Sequence, residues 1–411
     1  MHKPTVKYDL EMAHGNIYGK EEEAALIEVL RAGAPSCGKK AKQFEDAFAA
    51  YCGTRYALTV TSATTGLTLT GIAAGVGPGT EVITTPISWI ATANAFAGLG
   101  AKIVFCDVDP RTLNLDPACL ERKITKKTRA IVPVHLGGQC CAMDRITEIA
   151  AARGIPVIED CAHTPGAEYL GKKAGSLGTM GVFSFHQQKN MCTLGEGGMV
   201  TTDSRECFEK VLSYRSLCCR IYGGSDKYLP IDEERFPMGK DYWRLQFDDV
   251  GQNYRMTDAQ AAVGLAQLAK LDGFNATRIA IARRLTEKLA GVANVDLPWV
   301  DSKGKHIFHY YLLQLKEGHP LTKSEMMYEL YYGRGIKSWN YYMPIHLSEP
   351  YRARGHKEGE CPVAEKAHDR FLSLPIHPRL TDEAVDYMAA AVAEMSSGRK
   401  RADGPAGGGA G

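Results

Sequence analysis

A chain of 411 residues exceeds what one hydrophobic core fills, so a large domain with a smaller companion is expected. At 45% apolar and 23% charged residues it has the balance of an ordinary folded protein, which excludes a disordered or fibrous chain. A formal net charge of only +2, with no dense Lys/Arg stripe, argues against a nucleic-acid partner, and no stretch reaches the ~18 uninterrupted apolar residues of a membrane span.

Residues 1–20, "MHKPTVKYDLEMAHGNIYGK", carry no apolar signal core and read as the N-terminal arm of a cytoplasmic protein. From 21 to 272, short β-branched runs alternate with Ala-rich helical stretches. The runs are "YALTVT", "EVITTP", "KIVFCDV", "RAIVPVH", "IPVIED", "GVFSF" and "GMVTT". Seven strands with helical connections predict an α/β fold whose large domain holds a mostly parallel seven-stranded sheet.

Within that domain, 215–250 has no clear period and is rich in aromatic, Gly and Pro residues, so it reads as a long functional loop. "TDAQAAVGLAQLAKLDGFNATRIAIARRLTEKLA" predicts a long helix with Thr257 or Asp258 as its N-cap and a break at Gly273. Residues 273–398 read as a smaller α+β domain, with strand-like "HIFHYYLLQL" and "GIKSWNY" and a final helix "TDEAVDYMAAAVAEMSSG". The tail 399–411 reads as disordered. Twelve cysteines are scattered without a Cys-x-x-Cys pair, so they read as reduced, mostly buried thiols, and no metal is expected.

Ligands of open parallel sheets bind outside the carboxyl ends of the strands. Four of those ends carry chemistry here. After "YALTV", "TSATTG" opens a helix, where backbone N–H groups and the helix dipole favour a phosphate. After "EVITTP" comes Trp89; after "IPVI" come Asp160 and His163; "GVFSF" ends on Ser184 and leads to Lys189 in "HQQKN". A phosphate cradle, a flat aromatic, a carboxylate and a lysine together suit pyridoxal phosphate. A lysine forms a Schiff base with its aldehyde, a carboxylate keeps its ring nitrogen protonated, and an aromatic stacks on the ring. "GEGG" at 195–198 precedes a strand and not a helix, so it is no dinucleotide fingerprint; it lets the chain turn back after the lysine.

Over almost its whole length the chain resembles the DegT/DnrJ/StrS-type aminotransferases, the sugar aminotransferase branch of fold-type I pyridoxal-phosphate enzymes. The resemblance rests on "TSATTGL", "GPGTEVITTPISWIATANA", "IPVIEDCAHTPGA", "SFHQQKN", "GEGGMVTT", "NYRMTDAQAAVGLAQLAKLD" and "LPIHPRLT". It implies that Lys189 is the Schiff-base lysine, Asp160 the partner of the ring nitrogen and Trp89 the stacking aromatic. Thr64, Thr65 and Ser184 match phosphate-binding positions, and His163 stands near the ring hydroxyl. It also implies that Asn253 reaches the phosphate in a neighbouring subunit, so that a homodimer shares its sites.

Lys at 189, where dehydratase members of the family have His, implies a transaminase that takes its amino group from glutamate or glutamine. The acceptor implied is a keto sugar, often nucleotide-linked, or a keto cyclitol, as in amino-sugar and aminocyclitol antibiotic biosynthesis. Gly137, Cys140 and Ala142 stand where relatives often carry Tyr, Pro and Asp, so the substrate side of the pocket is expected to be reshaped. The cluster "KSWNYYMPIH", with Trp339, Tyr341 and Tyr342, is a candidate wall for a sugar. A non-catalytic regulator on the same fold is the competing reading, against which the intact Lys189 and Asp160 argue.

Overall fold

The computed structural model describes residues 17–33, 36–220, 246–340 and 342–398. Most of the expected 215–250 loop, most of the arm, Tyr341 and the tail lie outside them. The seven predicted strands all form: β1 (Tyr56–Val60), β2 (Glu81–Thr84), β3 (Lys102–Phe105), β4 (Thr128–Val132), β5 (Ile158–Asp160), β6 (Met180–Ser184) and β7 (Gly198–Thr202). Four lie in the order β1-β7-β6-β5 and three in the order β3-β2-β4. Parallel bridges from Ile131 to Val157 and from Val134 to Asp160 join the two sets across β4 and β5. Only β7 runs against the rest, pairing antiparallel with β1 and β6.

Alternation along these strands sends successive side chains to opposite faces, and both faces are buried, as a parallel sheet wrapped by helices requires. Leu58, Val82, Val132, Val182 and Val200 enter one core. Their neighbours Ala57, Ile83, Ile131, Phe183 and Met199 enter the other. Helix α1 (Lys20–Arg31) and α2 (Lys39–Cys52) pack on the long α4 described below, and α3 (Ala63–Ala73) covers the first face. Helix α2 has only Gly38 as its N-cap, and Asp258 supplies the missing acceptor, taking the N–H groups of Gly38, Lys40 and Ala41.

The long helix α4 (Asp258–Leu289) starts at Thr257, in a capping box with Gln260, and runs unbroken through Gly273, against expectation. A glycine in a helix costs about 1 kcal/mol. Buried contacts on both sides of that point, Leu271 in one core and Ile281 in another, outweigh it. Beyond it, Ile281, Leu285 and Leu289 share a third core with β9 (Tyr311–Leu315) and α5 (Asp382–Ser396). There β9 lies between β8 (Val295–Asp296) and β10 (Phe371–Leu374) in an antiparallel sheet. Tyr310, Tyr342 and Phe371 turn instead into the first core of the large sheet.

Candidate active site

The carboxyl ends of the strands open on a cavity of about 500 Å³ whose walls include Thr64, Trp89, Asp160, His163, Ser184 and Lys189. These are six of the eight residues expected. Thr65 is not on the wall. Its hydroxyl donates to the Ser62 carbonyl at 2.8 Å and accepts from the Ser62 N–H at 3.1 Å, closing the cap of α3. Asn253, which the resemblance assigns to the neighbouring subunit's phosphate, is exposed and bridged to Ser216.

Asp160 ends β5, where its N–H donates to the Pro133 carbonyl and its own carbonyl takes the His135 N–H. Asp160 as a residue is 4% exposed. Thr92 Oγ1 donates to Oδ2 at 2.8 Å and the Ala162 N–H to Oδ1 at 3.1 Å. Because Thr92 spends its hydrogen on Asp160, Ser88 must donate to Thr92, at 2.8 Å. Burial raises the acid above the ordinary carboxylate range, against the pull of Thr92, Ala162 and Lys189. Two lone pairs remain for a cationic N–H, which a protonated ring nitrogen supplies.

Lys189 sits in the turn after β6, its N–H bonded to the His186 carbonyl. Burial depresses its amine to about 8, opposed by Asp160 and Glu196. A group titrating there takes and releases protons near neutrality, which an ordinary lysine does not. The return turn uses "GEGG" as expected: Gly195 has φ +101°, and the carbonyls of Gly195 and Gly197 take the N–H groups of Gln187 and Phe185.

His163 is buried against Tyr310 and Tyr342. The Gly137 N–H donates to its Nδ1 at 3.4 Å, so the neutral ring carries its hydrogen on Nε2, which faces Tyr342 Oη at 3.3 Å. Tyr342 Oη lies 2.9 Å from Tyr310 Oη. Burial, then the Lys189 charge, holds the imidazole well below its usual range, and it stays neutral. Both phenols line the same cavity as Lys189 and make up its far wall.

On the other face of β5, Glu159 points away from the cavity. It accepts the N–H groups of Gly175, Leu177 and Gly178, and His135 Nε2–H at 2.9 Å. His135, Glu159 and Cys161 bring ligand atoms within 4.8 Å of one another. With the carboxylate already committed to four donors, the trio reads as structural. All twelve cysteines are free.

Gly137, Cys140 and Ala142, where the resemblance leads us to expect reshaping, contribute no side chain to the cavity wall. The turn at Gly137 and Gly138 is instead covered by residues 307–310, whose Ile307 and Tyr310 N–H groups bond to the Gly138 and Gly137 carbonyls. Of the described residues of the aromatic cluster, Tyr342 lines the wall and Trp339 bridges to Ser373. Ser88, Thr92 and Tyr310 were missed. A hydroxyl pair four residues apart at a helix start after a strand was the available signal for Ser88 and Thr92; nothing local marked Tyr310.

Comparison with known proteins agrees with this geometry. The sequence model described as the DegT/DnrJ/EryC1/StrS aminotransferase family matches residues 16–393. The chain is similar to the spore coat polysaccharide biosynthesis protein SpsC of Bacillus subtilis, 38% identical and covering 93% of this chain and 96% of that one. It is equally similar to the GDP-perosamine synthase of Caulobacter vibrioides, 38% identical over 94% of this chain and 98% of the other. The crystal structure of DesV from S. venezuelae superposes with a TM-score of 0.82 at 33% identity, covering 93% and 95% of the two chains. No helix among the described residues is long and apolar enough to cross a membrane. The chain belongs to the DegT/DnrJ/EryC1/StrS aminotransferase family and is a pyridoxal-phosphate-dependent aminotransferase.

Proposed function

We propose that this protein moves an amino group from glutamate or glutamine to the ketone of a sugar. The observation that carries the reading is the single cavity shared by the Lys189 amine, the Asp160 carboxylate, the start of α3 and the Tyr310–Tyr342 pair. The cofactor fits the residues present. Ser62 caps α3, and the N–H groups of Ala63 and Thr64 have no acceptor within their helix, so they, with the Ser184 hydroxyl, would hold the phosphate. Asp160 would hold the ring nitrogen, Trp89 would cover a ring face, and His163 would stand at the ring hydroxyl. Pyridoxal phosphate supplies the electron-accepting ring and carries the nitrogen from donor to acceptor.

The chain's own groups do the rest. The Lys189 amine would take a proton at Nζ from the donor's amino-bearing carbon and return a proton as the acceptor is aminated, which its depressed pKa permits. Asp160 would stay ionised where the cationic ring nitrogen offsets its burial. The phenols of Tyr310 and Tyr342 offer donors and acceptors to the hydroxyl-rich ring of the acceptor. SpsC and GDP-perosamine synthase, by their names, serve polysaccharide and amino-sugar synthesis, which supports a sugar here. A keto cyclitol presents the same ring of hydroxyls.

The reading includes a homodimer in which the exposed Asn253 of each copy meets the phosphate of the other, and a division near 272–273 between cofactor-binding and smaller domains. The test is a screen of keto sugars and keto cyclitols, free and nucleotide-linked, with glutamate or glutamine, read by product mass. An amine from at least one keto sugar is expected. Bound cofactor with no amine from any acceptor overturns the proposal in favour of a regulator.

A further inference from the structure

Behind the cavity a chain of side-chain hydrogen bonds joins the turn of Lys189 to the phenol wall. Asn275 of α4 donates Nδ2–H to the Pro165 carbonyl at 2.8 Å. A carbonyl only accepts, so this contact fixes the orientation of the Asn275 amide. Asn275 Oδ1 then accepts from Asn190 Nδ2 at 2.9 Å, which leaves Asn190 Oδ1 to accept from His309 Nδ1 at 2.9 Å. The His309 hydrogen is thereby placed on Nδ1. Its Nε2 is left as a bare lone pair, buried and without a hydrogen-bond partner among the described residues. Asn190, Asn275 and His309 are each at most 1% exposed.

The flanking residues give this chain its meaning. Asn190 follows Lys189 directly, and His309 precedes Tyr310. His309 also stacks on His163, ring centroids 4.4 Å apart. Both ends pass over glycines that admit no side chain. A Cβ on Gly138, at φ +109°, would lie 2.7 Å from the His309 backbone nitrogen; one on Gly166, at φ +91°, would lie 2.8 Å from Asn275 Nδ2.

We propose that Asn190 is a positioning residue: through His309 and Asn275 it braces the Lys189 amine at a fixed separation from the Tyr310–Tyr342 wall, between which donor and acceptor must react. The proposal rests on Lys189 being the reacting amine, as proposed above. An unsatisfied buried Nε2 costs stability, and a helix, a sheet-edge turn and the C-terminal segment are all pinned at one point, which simple packing does not require.

Asn190→Ala in the full chain lowers kcat by about 10- to 100-fold, because a misplacement of order 1 Å costs that much, while KM for both substrates moves less than about 3-fold. A second readout needs no turnover: the pH dependence of amine-directed labelling at Lys189 in the cofactor-free chain, read by peptide mass. Lys189 faces Asp160, Glu196, His163 and His309, and Arg278 lies behind His309. These groups are unchanged in the variant, whereas loosening the brace lets water reach the amine, so the labelling midpoint rises above that of the wild type. His309→Phe keeps a ring against His163 but removes the donor. It shifts both readouts in the same direction, and combining it with Asn190→Ala adds little more. Should Asn190→Ala not fold, His309→Phe carries the test alone. Unchanged kcat and labelling midpoint in a folded variant overturn the brace, even where thermal stability falls. Full turnover in Lys189→Ala overturns the role of the lysine instead, and the labelling series of the two brace variants still reports whether the amine is held.

Discussion

The two walls of the cavity are built in different ways. The strand-edge wall, with Asp160, Ser184 and Lys189, hangs from a sheet whose backbone bonds fix each residue within a few positions of a strand end. The far wall, with Tyr310 and Tyr342, is held by side-chain contacts spanning 32 and 179 residues of chain. Under the proposed function, the difference assigns chemistry common to both half-reactions to the rigid edge, and recognition of the particular acceptor to the wall that long-range contacts can reshape.

Substitutions on the two walls sharpen that contrast. Lys189→Ala removes the amine proposed to serve donor and acceptor alike, so both half-reactions fall, by about 10⁴-fold, in single-turnover absorbance measurements. Asp160→Asn keeps the shape but removes the buried charge; both half-reactions drop by about 10²- to 10³-fold, and cofactor affinity falls with them. Tyr342→Phe removes one hydroxyl from the far wall. KM for the acceptor rises about 10-fold, the worth of one hydrogen bond, while KM for the donor stays put. Equal effects of Tyr342→Phe on both substrates would erase the division of labour between the walls.

The smallest effect is on stability and concerns the edge alone. Folded Lys189 titrates near about 8 against an ordinary 10.5. Between those values the folded cofactor-free chain binds fewer protons than the unfolded one, so stability rises with pH across that window. Lys189→Met removes the slope. The variant is the more stable at pH 7, and its advantage closes as the pH rises from 8 towards 10.5, measured as urea midpoints at a series of pH values.

What was legible in the sequence follows the same division. All seven strands announced themselves through β-branched runs, and six of eight expected site residues meet at one cavity because strand ends converge whatever the connections between them. Thr65, read from the same helix start as Thr64, is spent on the helix cap, and Asn253, assigned by resemblance to the neighbouring subunit's phosphate, is exposed. The break expected at Gly273 rested on local propensity, which tertiary packing overrides. Asn190, Asn275 and His309 stayed hidden for another reason: an asparagine or histidine alone has no period and no motif, and these lie 85 and 119 residues apart in the chain.

Strand β5 carries two acids back to back, and their neighbourhoods are not independent. Glu159 gathers the turn at 175–178 that launches β6, and β6 delivers Lys189; Asp160, one peptide further on, faces that lysine across the cavity. The dipeptide therefore works as a gauge, with the reach from acid to amine counted from a common origin. Inserting or deleting one residue in β5 would swap the two acids between faces, and with a single error would lose the ring's counter-charge and the zero point of the strand that brings the amine.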